Sequence, residues 1–202
     1  MIGIIDYGMG NLHSVKNACD RLGFDSVISS DVAILNECTK LILPGVGAFK
    51  DCMKSLKETG LYDYIIKRVN EGVYLLGICL GMQALFESSQ ENGYCEGFGF
   101  LKGKVVMMND LSVRIPQIGW NVLEKNQDHI LFKKINSPYV YYVHSYYAKN
   151  VEDEDLIGYS TYGNMKITGL VIHNRIMGCQ FHPEKSGEDG LKILEYFGKE
   201  FV

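Results

Sequence analysis

The run Gly77-Ile78-Cys79-Leu80-Gly81 constrains this chain more than any other five residues. It follows the apolar stretch Val73-Tyr74-Leu75-Leu76, which reads as a strand, and leads into Met82-Gln83-Ala84-Leu85-Phe86, which reads as a helix. A G-x-C-x-G segment in that setting is the cysteine form of a nucleophile elbow. Its glycines leave room for a sharp bend, and the bend lifts the middle side chain clear of the sheet edge. The same bend puts the thiol at a helix N-terminus, where the partial positive charge favours thiolate.

The N-terminal half reads as the sheet behind that elbow. Residues 2–6 form a short apolar run that ends in the loop Tyr7-Gly8-Met9-Gly10-Asn11. Leu12, Val15, Cys19 and Leu22 recur at helical spacing, with Gly23 placed to end the helix. Strands over 26–29 and 40–43, with helices over 48–58 and 61–71, complete an alternation that predicts an α/β fold. Its sheet is open and mostly parallel, with helices on both faces. Past residue 97 the texture changes. Segments 104–108, 121–124, 140–148, 156–162, 166–173 and 176–180 read as strands with short connections, adding antiparallel strands to the C-terminal half. Asn174-Arg175 reads as a two-residue hairpin that lacks the preferred glycine. A helix over 186–201 closes the chain, with Ser186 and Asp189 as a capping box and Leu191, Leu194, Phe197 and Phe201 along one face.

The chain's 202 residues, 47% of them hydrophobic, suit one domain over 1–202 with a core that needs no staple. A net charge of -4 gives no support for a nucleic-acid or anionic-membrane surface. No targeting segment is recognisable, and no apolar run approaches the ~18 residues of a membrane span, so a cytoplasmic location is expected. The six cysteines, at 19, 38, 52, 79, 95 and 179, include no C-x-x-C pair. They suggest neither a disulfide framework nor zinc, and five of them read as small apolar residues. No cluster has metal-ligand spacing, so no metal or other cofactor is expected.

A thiolate that attacks a carbonyl carbon needs donors for the oxyanion. Leu80 N–H supplies one in an elbow, and the glycine-bounded Pro44-Gly45-Val46-Gly47 is suited to supply another from Val46 or Gly47. Alone, that loop would be an ordinary strand-ending turn. His182-Pro183-Glu184 offers a base and a carboxylate to orient it, and Pro183 favours an extended His182 that puts both side chains on one face. The alternative is a surface loop with a structural histidine. His144 is the rival base; it lacks an adjacent carboxylate, so binding suits it better. Gly8-Met9-Gly10-Asn11 has only the G-x-G of a phosphate loop and reads as a turn. Together these residues describe a Cys-His-Glu acyl-transfer enzyme. A cysteine esterase or peptidase would share the elbow but need an apolar acyl pocket or a peptide cleft. A non-catalytic binding homologue would lack part of the triad.

Residues 77–83 with Gln180-Phe181-His182-Pro183-Glu184-Lys185-Ser186 resemble the class I (triad) glutamine amidotransferases. Asp6-Tyr7-Gly8-Met9-Gly10-Asn11-Leu12, Pro44-Gly45-Val46-Gly47-Ala48-Phe49 and Pro116-Gln117-Ile118-Gly119-Trp120-Asn121 narrow the resemblance to the glutaminase subunits of imidazole glycerol phosphate synthases, over essentially the whole chain. It implies a flavodoxin-like fold in which Cys79 attacks the glutamine side-chain amide and His182 releases ammonia. Gln83, Glu91, Ser145 and Tyr146 match positions that hold glutamine's amino-acid end. The resemblance implies a heterodimer with a (β/α)8-barrel synthase, with Trp120 and Tyr141 matching the side that faces it; sheet packing is their alternative role. One departure stands out: the family's usual His-Met before Gly-Trp-Asn is Gln117-Ile118 here, in a region expected on the partner side rather than at the triad. That leaves open a paralogue feeding ammonia to sugar amidination. The 44–47 and 119–121 segments argue against the glutaminase of anthranilate synthase.

Overall fold

The computed structural model describes residues 1–135 and 138–201. Strand and helix alternate through the first half: β1 (Ile2–Ile5), α1 (Leu12–Arg21), β2 (Ser26–Ser29), α2 (Val32–Asn36), β3 (Lys40–Gly45), α3 (Phe49–Glu58), α4 (Leu61–Asn70), β4 (Tyr74–Cys79) and the short α5 (Leu80–Ala84). Strands dominate after that: β5 (Phe86–Ser89), β6 (Cys95–Glu96), β7 (Leu101–Met107), β8 (Gln117–Val122) and β9 (Glu124–Lys125) precede the short α6 (Leu131–Lys134). The chain continues through β10 (Tyr139–His144), β11 (Tyr146–Lys149), β12 (Leu156–Tyr162), β13 (Met165–His173) and β14 (Ile176–Cys179), then a 3-10 turn (Pro183–Lys185) and α7 (Gly187–Lys199).

The main sheet has the order β2-β1-β3-β4-β14-β13-β12-β9. Its first five strands run parallel and the last three join antiparallel. Alternation along each strand sorts side chains between two apolar layers. Ile2, Ile4, Ile42, Leu76 and Ile78 face the layer containing Val15 and Cys19 of α1 and Ile193, Leu194 and Phe197 of α7. Ile5, Leu41, Leu43 and Leu75 face Cys52, Met53 and Leu56 of α3 and Leu61 and Ile65 of α4. Each such fully buried aliphatic side chain contributes roughly 1.5–3 kcal/mol, so both layers hold the strands in register. Parallel strands flanked by helices bring their C-terminal loops to one edge. The loops after β1, β3, β4 and β14 therefore converge.

The helix expected to run through Phe86 ends at Ala84. The chain leaves it because the carbonyls of Ala84, Leu85 and Phe86 accept the N–H groups of Phe98, Leu101 and Gly99, which begins the small sheet β11-β7-β5-β6. The strand expected over 140–148 is two strands. It breaks at Ser145, where the chain passes from the ribbon β10-β8 to the small sheet. The Ser186 arm of the expected capping box does not form: Ser186 makes no side-chain cap bond, and its hydroxyl donates to His182 O (2.6 Å) while accepting Tyr141 N–H (2.9 Å). The hairpin at Asn174-Arg175 forms, with Asn174 taking the positive φ (51°) that a glycine would otherwise supply.

Candidate active site

Cys79 lies at the bend between β4 and α5 with φ 55° and ψ -110°. A non-glycine residue there carries strain of order 1–3 kcal/mol, so its neighbours must fix it. Gly45 is its register partner on β3. A Cβ on Gly81 would overlap the Leu43 carbonyl, and one on Gly77 would come within 2.7 Å of the Met82 backbone. Only glycines permit this bend. Helix α5 has five residues, so its dipole is small; the larger nearby charge is His182.

His182 follows β14 with an extended backbone, as Pro183 dictates, but residues 183–185 turn as a 3-10 helix instead of continuing extended. The turn swings Glu184 back, placing Oε1 2.8 Å from His182 Nδ1. The loop is anchored to β10 by His182 N–H to Tyr141 O (2.9 Å) and by the Ser186 hydroxyl. Among the described residues, His182 Nε2 and Glu184 Oε2 are buried without hydrogen-bond partners. Burial pulls the imidazolium down, but Cys79 and Glu184 outweigh it and raise His182 to about 10. Such an environment keeps a proton on the imidazole for a leaving amine and stabilises an adjacent thiolate. The sulfur also has Gln180 Nε2 at 3.8 Å and, as donor, the Val143 carbonyl at 4.0 Å.

A cavity of about 300 Å³ opens beside Cys79. Val46, Gly47, Leu80, Gln83, Glu91, Ser145, Tyr146 and His182, drawn from five separate segments, line it, and Val143 and His144 join them. Gly47 adopts φ 99°, where its lack of a side chain also lets Met9 pack against it. Tyr7 fixes the start of the same loop: its hydroxyl donates to Pro44 O (2.9 Å) and lies 3.5 Å from Cys52 Sγ. The Tyr7–Gly10 turn is thus a buttress for the 44–47 loop, a role that its G-x-G pattern did not announce. Glu91 Oε2 accepts Phe49 N–H (2.8 Å) at the start of α3, which holds the carboxylate at the cavity wall. Gln83 Nε2 is engaged by Tyr146 O (2.8 Å) and Gln180 Oε1 (2.9 Å).

Trp120 and Tyr141 do not line this cavity. They are cross-strand partners on the outer face of the β8–β10 ribbon, with ring centroids 6.1 Å apart. The inner face backs the cavity through His144, while Gln117 itself does not line it and Ile118 lies on the outer face. Buried Gln117 places Oε1 3.1 Å from His144 Nε2. His144 is no rival base: burial lowers it to about 4, and its Nδ1 donates to Tyr146 O (2.8 Å). Gln180, Tyr7, Gln117 and the Val143 carbonyl were missed as site groups. Gln180 sits within a quoted motif, whereas a backbone carbonyl leaves no residue signal.

Residues 3–201 match the family described as "Glutamine amidotransferase class-I". Among curated relatives, the chain is 47% identical to "Imidazole glycerol phosphate synthase subunit HisH" of Geobacillus sp. (strain WCH70), covering 98% of this chain and 95% of that one. It is 48% identical to the protein of the same name from Caldanaerobacter subterraneus subsp. tengcongensis, covering 98% of both. Among solved structures, one described as "Crystal structure of glutamine amidotransferase" superposes with TM-score 0.76 at 22% identity over 97% of this chain and 96% of that one. A chain of "Structure of PurLQS from Thermotoga maritima" reaches TM-score 0.73 at 20% identity, with the same coverage. At those identities the structures speak for the fold alone.

Proposed function

The chain belongs to the class-I glutamine amidotransferases, and from that membership we propose that it is the glutamine-hydrolysing subunit of an imidazole glycerol phosphate synthase, acting as one domain. The observation that carries the reading is the meeting of Cys79, His182 and Glu184 at one edge of the parallel sheet, beside a cavity of about 300 Å³. The Cys79 thiolate attacks the side-chain amide carbon of glutamine. The oxyanion is met by Leu80 N–H and by an amide of Val46 or Gly47. His182, protonated, gives its proton to the departing ammonia and leaves a γ-glutamyl thioester. It then takes a proton from the water that hydrolyses the thioester, with Glu184 holding its tautomer throughout. Glu91 accepts from the substrate's ammonium group, and Gln83, Ser145 and Tyr146 frame its amino-acid end.

Ammonia passes to a (β/α)8-barrel subunit that makes imidazole glycerol phosphate and an aminoimidazole carboxamide ribotide in histidine biosynthesis. The outer face of the β8–β10 ribbon suits that partner. Ile118 is 63% and Trp120 56% exposed, and Tyr139 and Val143 are exposed beside them. Large apolar groups contiguous on one two-stranded face are what a docking surface presents. No helix among the described residues is long and apolar enough to cross a membrane, and the assembly works in the cytoplasm.

The test is copurification with candidate barrel synthases followed by ammonia-release assays on each complex. Weak glutaminase alone, rising strongly with the ligand-bound synthase, is expected. Cys79→Ala should abolish glutamine-dependent synthesis while ammonia-dependent synthesis persists; full glutamine-dependent synthesis by that variant would sink the mechanism. Stimulation by a sugar-amidinating synthase in place of the histidine enzyme would redirect the pathway.

A further inference from the structure

Beneath the ribbon, a run of buried polar groups ends on the nucleophile. His144 Nδ1 donates to the Tyr146 carbonyl (2.8 Å). That carbonyl accepts from Gln83 Nε2 (2.8 Å), which also donates to Gln180 Oε1 (2.9 Å). Gln180 Nε2 then points at Cys79 Sγ from 3.8 Å. His144, Gln83 and Gln180 are all buried, Gln180 completely.

A side-chain amide has two chemically opposite ends, and a thiolate tolerates only the donor end. Nothing local to Cys79 decides which end faces it. Gln83 does: both contacts of its nitrogen are to oxygens, so the Gln180 oxygen is drawn toward Gln83 and the Gln180 nitrogen is left for the sulfur. The Gln83 nitrogen is in turn held by the Tyr146 carbonyl, whose place is fixed by His144. We propose that Gln180 is a positioning residue for the nucleophile, its amide held nitrogen-first toward Cys79 by Gln83. The inference rests on Cys79 being the glutaminase nucleophile, as read above. A donor aimed at the sulfur stabilises thiolate over thiol and limits rotation of the side chain before attack. Among the described residues, the other titratable groups around Cys79 include His182 with Glu184 behind it, Tyr7 after β1, His144 on β10, Tyr146 on β11, and Glu91 across the cavity.

Alkylation of Cys79 by iodoacetamide, followed by peptide mass spectrometry from pH 5 to 10 in the synthase complex, reads the thiolate directly. Gln180→Met keeps the length without the donor; its alkylation midpoint should move up by about half a unit to one unit. Gln180→Glu keeps the shape and, with one oxygen held by Gln83, turns the other toward the sulfur; its midpoint should move further. For both, kcat for glutamine should fall about tenfold or more with KM within about threefold, since one charge-assisted hydrogen bond is lost at the nucleophile. If Gln180→Met does not fold, Gln180→Glu decides alone. Unmoved midpoint and kcat with only a lowered melting temperature would make Gln180 structural and overturn the proposal. Cys79→Ala separates the two failures. If it keeps glutamine-dependent synthesis, the functional reading falls. If it loses that synthesis while the Gln180 variants behave as wild type, only the role of Gln180 falls.

Discussion

Two histidine–carboxylate pairs in this molecule have the same hydrogen-bond length and opposite surroundings. His182 Nδ1 lies 2.8 Å from Glu184 Oε1, and His173 Nδ1 lies 2.8 Å from Asp155 Oδ1. They bracket β14, so one sits at the C-terminal edge of the parallel strands and the other at the opposite edge. The side chains of the first pair are 3% and 1% exposed; His173 is 40% exposed. The second ring nitrogen separates them most sharply. His173 Nε2 is met by the Asn174 amide at 2.9 Å, whereas His182 Nε2 has no hydrogen-bond partner among the described residues and borders a cavity with a thiol. A short bond to a carboxylate orients an imidazole anywhere. What makes one an acid and base is a second nitrogen that no other protein group engages, beside a nucleophile.

The strongest test of that contrast exchanges the two histidines' fates. In the synthase complex, His182→Asn should cut glutamine-dependent turnover about 10⁴-fold or more, as loss of a triad base does. His173→Asn should stay within about twofold of wild type, and a comparable collapse there would erase the distinction. The carboxylates come next. Glu184→Gln should lower kcat about 10³-fold, because the imidazolium loses its partner and the tautomer is no longer fixed. Asp155→Asn should leave kcat alone and cost about 1 kcal/mol of stability, read as a melting temperature lower by about 2–4 °C in a chain of this size. Smaller still is Tyr7→Phe. It removes the bond to Pro44 O while keeping the buried ring, and should lower kcat about tenfold through the 44–47 loop, less than the ~100- to 1000-fold that follows loss of a whole oxyanion donor. Unchanged kcat in that variant would leave the loop held by Met9 and the β3–β4 register alone.

The legible parts of the site were those whose chemistry demands a residue type at a fixed spacing. The elbow was visible because only glycines fit beside the Leu43 carbonyl and the Met82 backbone. The pair at 182 and 184 was visible from Pro183, although the turn that closes it is 3-10 and not extended. Parallel strands showed as apolar runs because helices cover both faces. The misreadings occur where tertiary pairing overrides local pattern. Phe86 leaves a helix because residues 98–101 claim its neighbours' carbonyls, and Ser186 forgoes its cap because its hydroxyl bridges His182 and Tyr141. The supports of Cys79 were hidden for the same reason. Gln180, Tyr7 and the Val143 carbonyl act across 101, 37 and 64 positions of sequence respectively, distances at which no local pattern carries a signal.

The finest contrast is between two buried histidines, His182 and His144, in how stability follows pH. An unfolded histidine titrates near ~6.5. In the fold, burial opposes the charge on His182, yet Cys79 and Glu184 raise it to about 10. The folded state then holds that proton more tightly than the unfolded chain does. Its contribution to stability is therefore fully present below ~6.5 and is lost as pH rises toward 10. His144 runs the other way: burial lowers it to about 4, so its contribution is present above ~6.5 and fades as pH falls toward 4. Denaturant midpoints taken between pH 6.5 and 10 should decline in wild type. They should decline less in His182→Asn, and less also in Cys79→Ala, which removes one of the two groups that hold the proton. An equal slope in wild type and Cys79→Ala would show that Glu184 alone holds the His182 proton, and the thiolate–imidazolium pair would have to form only when glutamine or the synthase is bound.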